Sequence, residues 1–186
     1  MPITRIKHCT QCGATVSYQM PTTDNRMRAI CDQCQHIHYD NPKLVVGCIP
    51  EWEDGRILLC RRAIQPKYGL WTLPAGFMEN GETTAEAGQR ETLEEANATV
   101  EVLHLYSLCN LPHANQVYLI FRAKLLNLNF SAGTESLEVE LFTEQQIPWN
   151  ELAFATIHLT LTQYFNDRRQ QQYPFHTLTL DRRAEA

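Results

Sequence analysis

Arg90, Glu91, Glu94 and Glu95 fall in one short stretch, preceded by Glu82 and Gly76 in the spacing Gly-x5-Glu-x7-Arg-Glu-x-x-Glu-Glu. On a helix turning about 100° per residue, with Glu91 at zero, Glu94 falls near about −60° and Glu95 near about +40°, with Ala87 between them. One acidic stripe results. Carboxylates this close repel one another unless a cation or a neighbouring guanidinium compensates. Hard oxygen donors at this density suit Mg²⁺ or Mn²⁺. Glutamates on a helix are ordinarily a solvated face, and that reading stands as the alternative to a cation site.

A second donor set lies near the N-terminus. Cys9-Thr-Gln-Cys12 and Cys31-Asp-Gln-Cys34 have the spacing of a four-cysteine zinc site. Two such knuckles joined by a hairpin present four sulfurs tetrahedrally. A segment this poor in large apolar residues needs such a staple to fold. Four thiolates close the coordination shell, so the predicted role is to stabilise, to dimerise or to shape a substrate site rather than to react. His36 and His38 alternate with Ile37 and read as surface or packing residues.

The elements that must hold these groups are partly legible. Thr83 and Glu86 have the spacing of a capping box, which starts the acidic helix near Thr84 and leaves 76–82 as a tight loop feeding it. Asn97 stands where a left-handed C-terminal residue is needed. Ala85, Gln89, Thr92, Leu93 and Ala96 are expected to form the face that lies against a sheet. Asn41-Pro42 marks a junction, giving a zinc-binding unit over 1–40 and a second domain over 41–186. In the latter, 43–49 and 56–62 read as a hairpin turning at Glu53-Asp54-Gly55, 65–69 as loop, and 99–109, 116–126 and 136–142 as strands. A helix is predicted over 154–170, its apolar face supplied by Leu159, Leu161, Tyr164 and Phe165.

Length and charge bound the rest. The chain has 186 residues and a formal net charge of −5, a balance that argues against nucleic acid as a default partner. No apolar run suits a membrane span and the N-terminal residues lack the apolar core of a signal peptide, so a cytoplasmic protein is expected. Cys48, Cys60 and Cys109 sit in apolar runs as small hydrophobes.

The Gly76 to Glu95 pattern resembles the Nudix box of the Nudix hydrolases, which cleave nucleoside diphosphates linked to another moiety. Gly69-Leu-Trp-Thr-Leu-Pro-Ala-Gly76, Asn41-Pro-Lys, Ile64-Gln-Pro66 and Glu135-Ser-Leu-Glu138 extend the likeness to zinc-ribbon members that include chloroplast enzymes acting on FAD and ADP-ribose. The resemblance implies an α/β/α sandwich with a mixed sheet, preceded by a small zinc ribbon. It implies Mg²⁺ or Mn²⁺ held by Glu94 and Glu95, with Glu91 assisting, the Gly76 carbonyl completing the shell and Glu82 acting through water or on the loop. It gives Arg90 the task of orienting a glutamate. Thr92, where a large aliphatic is usual, and Asn97, where Gly is usual, depart from the pattern.

The proton acceptor is left open among Glu94, Glu95, Glu135 and Glu138. Tyr68, Trp71, Phe77 and Tyr118 are candidate aromatic platforms for the groups flanking the diphosphate, weighed against simple core packing, and His113 is a candidate ribose or phosphate contact. The expected substrate is a small nucleotide, FAD or ADP-ribose, and the expected assembly a homodimer. NADH pyrophosphatases are the alternative, although their Ser-Gln-Pro-Trp-Pro-Phe-Pro signature is missing; Tyr173-Pro-Phe175 is a faint echo. A nucleotide-sensing regulator with the ribbon as adaptor is the non-enzymatic alternative, but a sensor has no need of an intact glutamate set.

Overall fold

The computed structural model describes residues 5–181. The chain divides after Pro42 into two compact units.

In the first unit, β1 (Val16–Gln19), β2 (Arg28–Cys31) and β3 (Ile37–His38) form an antiparallel sheet in that order. Each cysteine pair sits in a tight turn. Gly13 N–H donates to the Cys9 carbonyl and Gln35 N–H to the Cys31 carbonyl, and both closing residues have positive φ, 77° and 60°. The buried side chains are few: Cys9, Ala29, Cys31 and His38. So small an apolar interior cannot offset the entropy of ordering the segment.

The second unit is one mixed sheet between two helices. Its strands are β4 (Lys43–Glu51), β5 (Ile57–Arg62), β6 (Trp71–Thr72), β7 (Ala75–Phe77), β8 (Val100–Leu111), β9 (Gln116–Leu125), β10 (Ser136–Phe142) and β11 (His176–Thr179). The order is β10-β5-β4-β9-β8-β11, with β6 paired to β5 and β7 to β4. β4 with β9 and β8 with β11 are parallel; the other pairs are antiparallel. The helices are α1 (Thr84–Ala96) and α2 (Ala155–Gln170).

Alternation along the strands builds a core on each face of the sheet. Ile57 and Leu59 of β5 point towards Ile157, Leu161, Tyr164 and Phe165 of α2, while Leu58 and Cys60 join Val46, Cys48 and Phe121 in the core against α1. The α2 face differs from the sequence expectation at one residue. Leu159 is exposed, and Ile157 takes its place in the core.

The expected hairpin of β4 and β5 is real only at its tip, where Glu51 faces Ile57. Below it the strands part: β4 takes β7 along Val45–Gly47, and β5 takes β6 at Cys60 and Arg61. The segment 71–77, read from sequence only as a lead into the helix, thus supplies two short strands to the sheet. That divergence brings Gly76 beside α1.

α1 begins and ends as its sequence requires. Thr83 accepts from Glu86 N–H, the Glu86 carboxylate accepts from Thr83 N–H at 2.7 Å, and Asn97 closes the helix at φ 47°. Which stripe faces the sheet is a correction. Ala87, Gly88, Glu91, Thr92, Glu95 and Ala96 are buried, whereas Gln89 and Leu93 are exposed and Ala85 is half-buried. Gly88 explains the choice, because a β-carbon there would lie 3.0 Å from the Cys48 sulfur. The helix therefore approaches along its Ala87-Gly88 side, and two of its glutamates go in with it.

Candidate active site

A cavity of about 900 Å³ opens over α1, β7 and the loop before β10. Of the residues singled out in the sequence, Gly76, Phe77, Arg90, Glu91, Glu94, Glu95, Tyr118 and Glu135 line it. Gly76 belongs there for a steric reason. A side chain at this position would fall inside the Glu91 carboxylate.

The acidic cluster is organised by one guanidinium. Arg90 donates through Nε and Nη2 to both oxygens of Glu82, at 2.9 and 2.7 Å, a fork that also ties the loop to the helix. Its Nη1 reaches Glu91 at 2.7 Å and Glu94 at 3.0 Å, and Nη2 also donates to the Phe77 carbonyl. Glu82 itself is outside the cavity lining. It accepts from Glu79 N–H at 2.7 Å, and Arg90 together with that N–H holds its carboxyl down to about 2.

One positive charge set against three carboxylates leaves the cluster negative, and a fourth carboxylate lies beside them. Glu95 is 7% exposed and accepts only a long bond, 3.3 Å, from Ala75 N–H. Burial first and the charge of Glu91 second push its carboxyl up to about 8. Burial also raises Glu91, against the pull of Arg90. Two buried carboxylates that resist ionisation together are a donor set that fits a divalent cation, whose charge favours the ionised form of both.

The thiols meet a different test. The Sγ atoms of Cys9, Cys12, Cys31 and Cys34 all lie within 4.8 Å of one another, with contacts of 3.4 to 3.6 Å between Cys12 and Cys31, Cys12 and Cys34, and Cys9 and Cys34. Four sulfurs around tetrahedral zinc are about 3.8 Å apart, from a Zn–S bond of about 2.3 Å. Backbone N–H groups of Gln11, Gln33 and Cys34 point at these sulfurs, as thiolates require. Among the described residues this is the one group of three or more His, Cys, Asp or Glu with ligand atoms so close together. The glutamates are bridged by Arg90 instead.

Several sequence candidates lie elsewhere. Trp71 is a core residue, 7% exposed, packed edge-on to Phe142 at 4.9 Å. Tyr68 is exposed and outside the cavity lining. His113 faces the C-terminal segment, its Nδ1 3.0 Å from the Leu180 carbonyl. Glu138 is paired with Arg61 at 3.3 Å and does not line the cavity. His38 is buried and packs edge-on to His36 at 4.7 Å.

The structure adds residues that sequence reasoning missed: Arg62, Glu79, Gln116 and Phe154 all line the cavity. Arg62 had a signal, a second consecutive arginine at the end of an apolar strand. Gln116 and Phe154 had none. Asn97 also lines the cavity and binds the loop that carries Glu135, its Nδ2 donating to the Ser131 and Ala132 carbonyls at 3.2 and 3.3 Å. Ser131 and Gly133 N–H groups cap the last turn of α1 by donating to the Ala96 and Glu95 carbonyls.

Known proteins resemble this chain in sequence and fold. The NUDIX domain profile matches residues 41–165, and that of the Nudix N-terminal region matches residues 7–40. The crystal structure of a NUDIX hydrolase from Nitrosomonas europaea superposes with a TM-score of 0.92 at 55% identity, covering 95% of this chain and all of that one. An ADP-ribose pyrophosphatase of Methanocaldococcus jannaschii is 32% identical over 120 residues, 62% of this chain and 69% of that protein. The NAD-capped RNA hydrolase NudC of Yersinia enterocolitica is 27% identical over 118 residues, 63% of this chain but 43% of that protein. With an acidic helix capped and looped as its sequence requires, a four-cysteine ribbon and a domain profile spanning most of its length, the chain belongs to the Nudix hydrolase family.

Proposed function

We propose that the protein is a Mg²⁺- or Mn²⁺-dependent pyrophosphohydrolase that cleaves ADP-ribose or FAD, releasing AMP with ribose 5-phosphate or FMN. The observation that carries this reading is the gathering of Gly76, Glu91, Glu94 and Glu95 at one cavity, with Arg90 leaving their charge incompletely neutralised. Glu91, Glu94, Glu95 and the Gly76 carbonyl would hold the cation, which when bound neutralises diphosphate charge and acidifies water. Arg90 fixes Glu91 and Glu94 in place and, through Glu82, fixes the loop that presents Gly76. Water adds across one P–O–P bridge, and its proton passes to a cavity carboxylate. That Glu94, Glu95 and Glu135 line the cavity, while Glu138 pairs with Arg61 outside the lining, supports one of the first three as the acceptor.

Zn²⁺ in the ribbon, held by Cys9, Cys12, Cys31 and Cys34, has a structural role in this reading. Its closed thiolate shell keeps no position for substrate. Of the aromatic side chains lining the cavity, Phe77 is 47% exposed and Phe154 half-buried, whereas Tyr118 is buried at 9% exposed, so Phe77 is the surface most available to the groups flanking the diphosphate.

The likeness to the M. jannaschii ADP-ribose pyrophosphatase supports ADP-ribose. The likeness to NudC favours a second reading, an NAD-type dinucleotide. The bond cleaved is the same in both, so selectivity rests on binding of the flanking groups in the transition state. AMP release from ADP-ribose, FAD, NADH and diadenosine polyphosphates at one Mg²⁺ concentration tests the proposal. The expected result is a kcat/KM for ADP-ribose or FAD at least about tenfold above NADH, a margin of about 1.4 kcal/mol that one aromatic stack supplies. A preference for NADH moves the protein to the second reading, and no cleavage of any of them sinks both.

A further inference from the structure

Two arginines face the cavity, and they are in opposite states. Arg90 is saturated, with every nitrogen donating to a carboxylate or carbonyl. Arg62, the last residue of β5, is held but not satisfied. Its Nε donates to the Pro66 carbonyl at 2.8 Å, and its guanidinium carbon stands 5.2 Å over the Phe154 ring. Those two contacts fix the plane of the fork and use one of its nitrogens. Among the described residues, Nη1 and Nη2 have no hydrogen-bond or ion-pair partner.

This is exceptional for the unit. Each other described arginine of 43–181 is paired with a carboxylate: Arg56 with Asp54, Arg61 with Glu138, Arg90 with Glu82, Arg122 and Arg168 with Glu51, and Arg169 with Glu144. Arg62 has glutamates within electrostatic reach, since its charge opposes the rise of Glu95, yet it pairs with none of them while its Nε bonds the Pro66 carbonyl. The remaining charged groups lining the cavity are Arg90, already neutralised, and Glu79, Glu91, Glu94, Glu95 and Glu135. A diphosphate entering so acidic a cavity is repelled, and among the described residues lining it Arg62 is the one positive charge with donors to spare; Lys43, its Nζ 5.1 Å over the Phe77 ring, stands outside that lining.

We propose that Arg62 anchors the substrate by donating from Nη1 and Nη2 to phosphate oxygens, so that the diphosphate reaches from the acidic floor to the wall formed by Pro66 and Phe154. The inference rests on the hydrolase reading and adds to it the residue that overcomes the repulsion. A planar fork matches two phosphate oxygens, and its pre-set orientation reduces the entropy lost on binding. Phe154 has a matching position. It directly precedes α2 as its N-cap residue, with no side-chain hydrogen bond of its own to the helix, and its ring serves as the surface on which the guanidinium rests.

The test compares wild type with Arg62→Gln and Arg62→Lys in two assays. The first is steady-state hydrolysis of ADP-ribose with saturating Mg²⁺. The second is equilibrium binding of AMP with no divalent ion present, at a series of NaCl concentrations. Arg62→Gln is expected to raise KM at least about tenfold with a smaller fall in kcat, to weaken AMP binding at least about tenfold and to remove most of its salt dependence. Arg62→Lys restores the salt dependence but only part of the affinity, because a point charge lacks the fork.

Equal AMP affinity in wild type and Arg62→Gln overturns the proposal. So does a variant that loses kcat and thermal stability together while the salt dependence stays, since that outcome assigns Arg62 only to shaping the Pro66 loop. Should Arg62→Gln fold poorly, the wild-type salt dependence and the Lys variant decide. A wild type that cleaves no diphosphate but binds AMP through Arg62 defeats the functional reading alone.

Discussion

The two donor sets of this protein are built on opposite plans. The four thiols are brought together by short-range backbone turns, each Cys-x-x-Cys closing within its own knuckle, and by the β1–β2 pairing that sets the two knuckles side by side. The glutamates are brought together by long-range structure. They depend on a capped helix, a bare glycine on β7 and a guanidinium that spans loop and helix. The first plan yields a site whose best state is permanently closed. The second yields one that keeps uncompensated charge and raised carboxyl groups, a cost in stability that a substrate-linked cation can relieve.

The largest effect should come from breaking the thiol set. About one zinc per chain is expected after dialysis of untagged protein, and Cys31→Ser, at a fully buried ligand, should lose it. Structural zinc contributes about 10–16 kcal/mol in small zinc-binding peptides, more than the few apolar groups of this unit can replace. Proton NMR of the full chain should show the amides of β1 to β3 collapse to unfolded positions. Zinc content near zero in the wild type, or zinc loss without unfolding of those strands, would erase the contrast between the plans.

Next in size is Glu95→Gln. Because Glu95 holds its proton at neutral pH when no cation is near, the amide mimics its resting form and the melting temperature should stay level or rise. Catalysis should fall at least about 10²-fold in kcat, the scale of losing a key electrostatic group. Unchanged turnover would mean that the acidic floor is not the reaction site.

How far the sequence discloses each plan follows from the range of the interactions. The thiol set is legible because the spacing within each Cys-x-x-Cys pair is local. The ends of α1 are legible for the same reason, Thr83, Glu86 and Asn97 acting within a turn of their own positions. Which stripe of α1 meets the sheet is not, because it is decided by Gly88 against Cys48 of β4, a contact between residues forty apart that leaves Leu93 in solvent. β11 is a four-residue edge strand paired in parallel to β8; the alternation of His176-Thr-Leu-Thr179 suits a strand, but so short a run names no partner. For Trp71, in the motif, platform and core packing are both readings of the sequence, and the β5–β6 pairing with its edge-on contact to Phe142 decides for the core. Arg62 carries in the sequence only the signal of a second consecutive arginine at the end of an apolar strand; the unpaired state of its fork is visible only in three dimensions.

Smaller still is a pH effect confined to the glutamate set. A carboxyl that titrates near 4.5 in the unfolded chain and at about 8 in the folded one binds its proton more tightly when folded, so stability falls as pH rises between those values. Zinc-loaded protein free of Mg²⁺ should therefore lose several degrees of melting temperature from about pH 5 to about pH 8, at roughly 4–8 °C per kcal/mol for a small domain and less for larger ones. His104, whose imidazolium is disfavoured by burial and Arg122, works in the opposite direction, so the quantity to read is the difference between wild type and Glu95→Gln. Millimolar Mg²⁺ should flatten that difference. A slope shared equally by both proteins would show that Glu95 is not its source.

The smallest expected effect separates local from long-range construction at a single residue. Asn97 serves both: its backbone closes α1 in the left-handed region, and its side chain holds the Ser131–Ala132 segment that leads to Glu135. The family habit of glycine here would meet the first need better, because glycine adopts positive φ without steric cost. Asn97→Gly should then gain a few tenths of a kcal/mol at the cap and lose a comparable amount from the exposed side-chain bonds, leaving stability within about 1 kcal/mol of wild type. Asn97→Ala, which keeps neither benefit, should be the less stable by about 1 kcal/mol. If Glu135 contributes to the reaction, freeing its loop should lower kcat/KM by about two- to fivefold in Asn97→Gly despite that unchanged stability, as slight misplacement of an acting group does. Activity that follows stability alone across the Gly and Ala variants would remove Glu135 from the site and leave Glu94 and Glu95 as the proton acceptors.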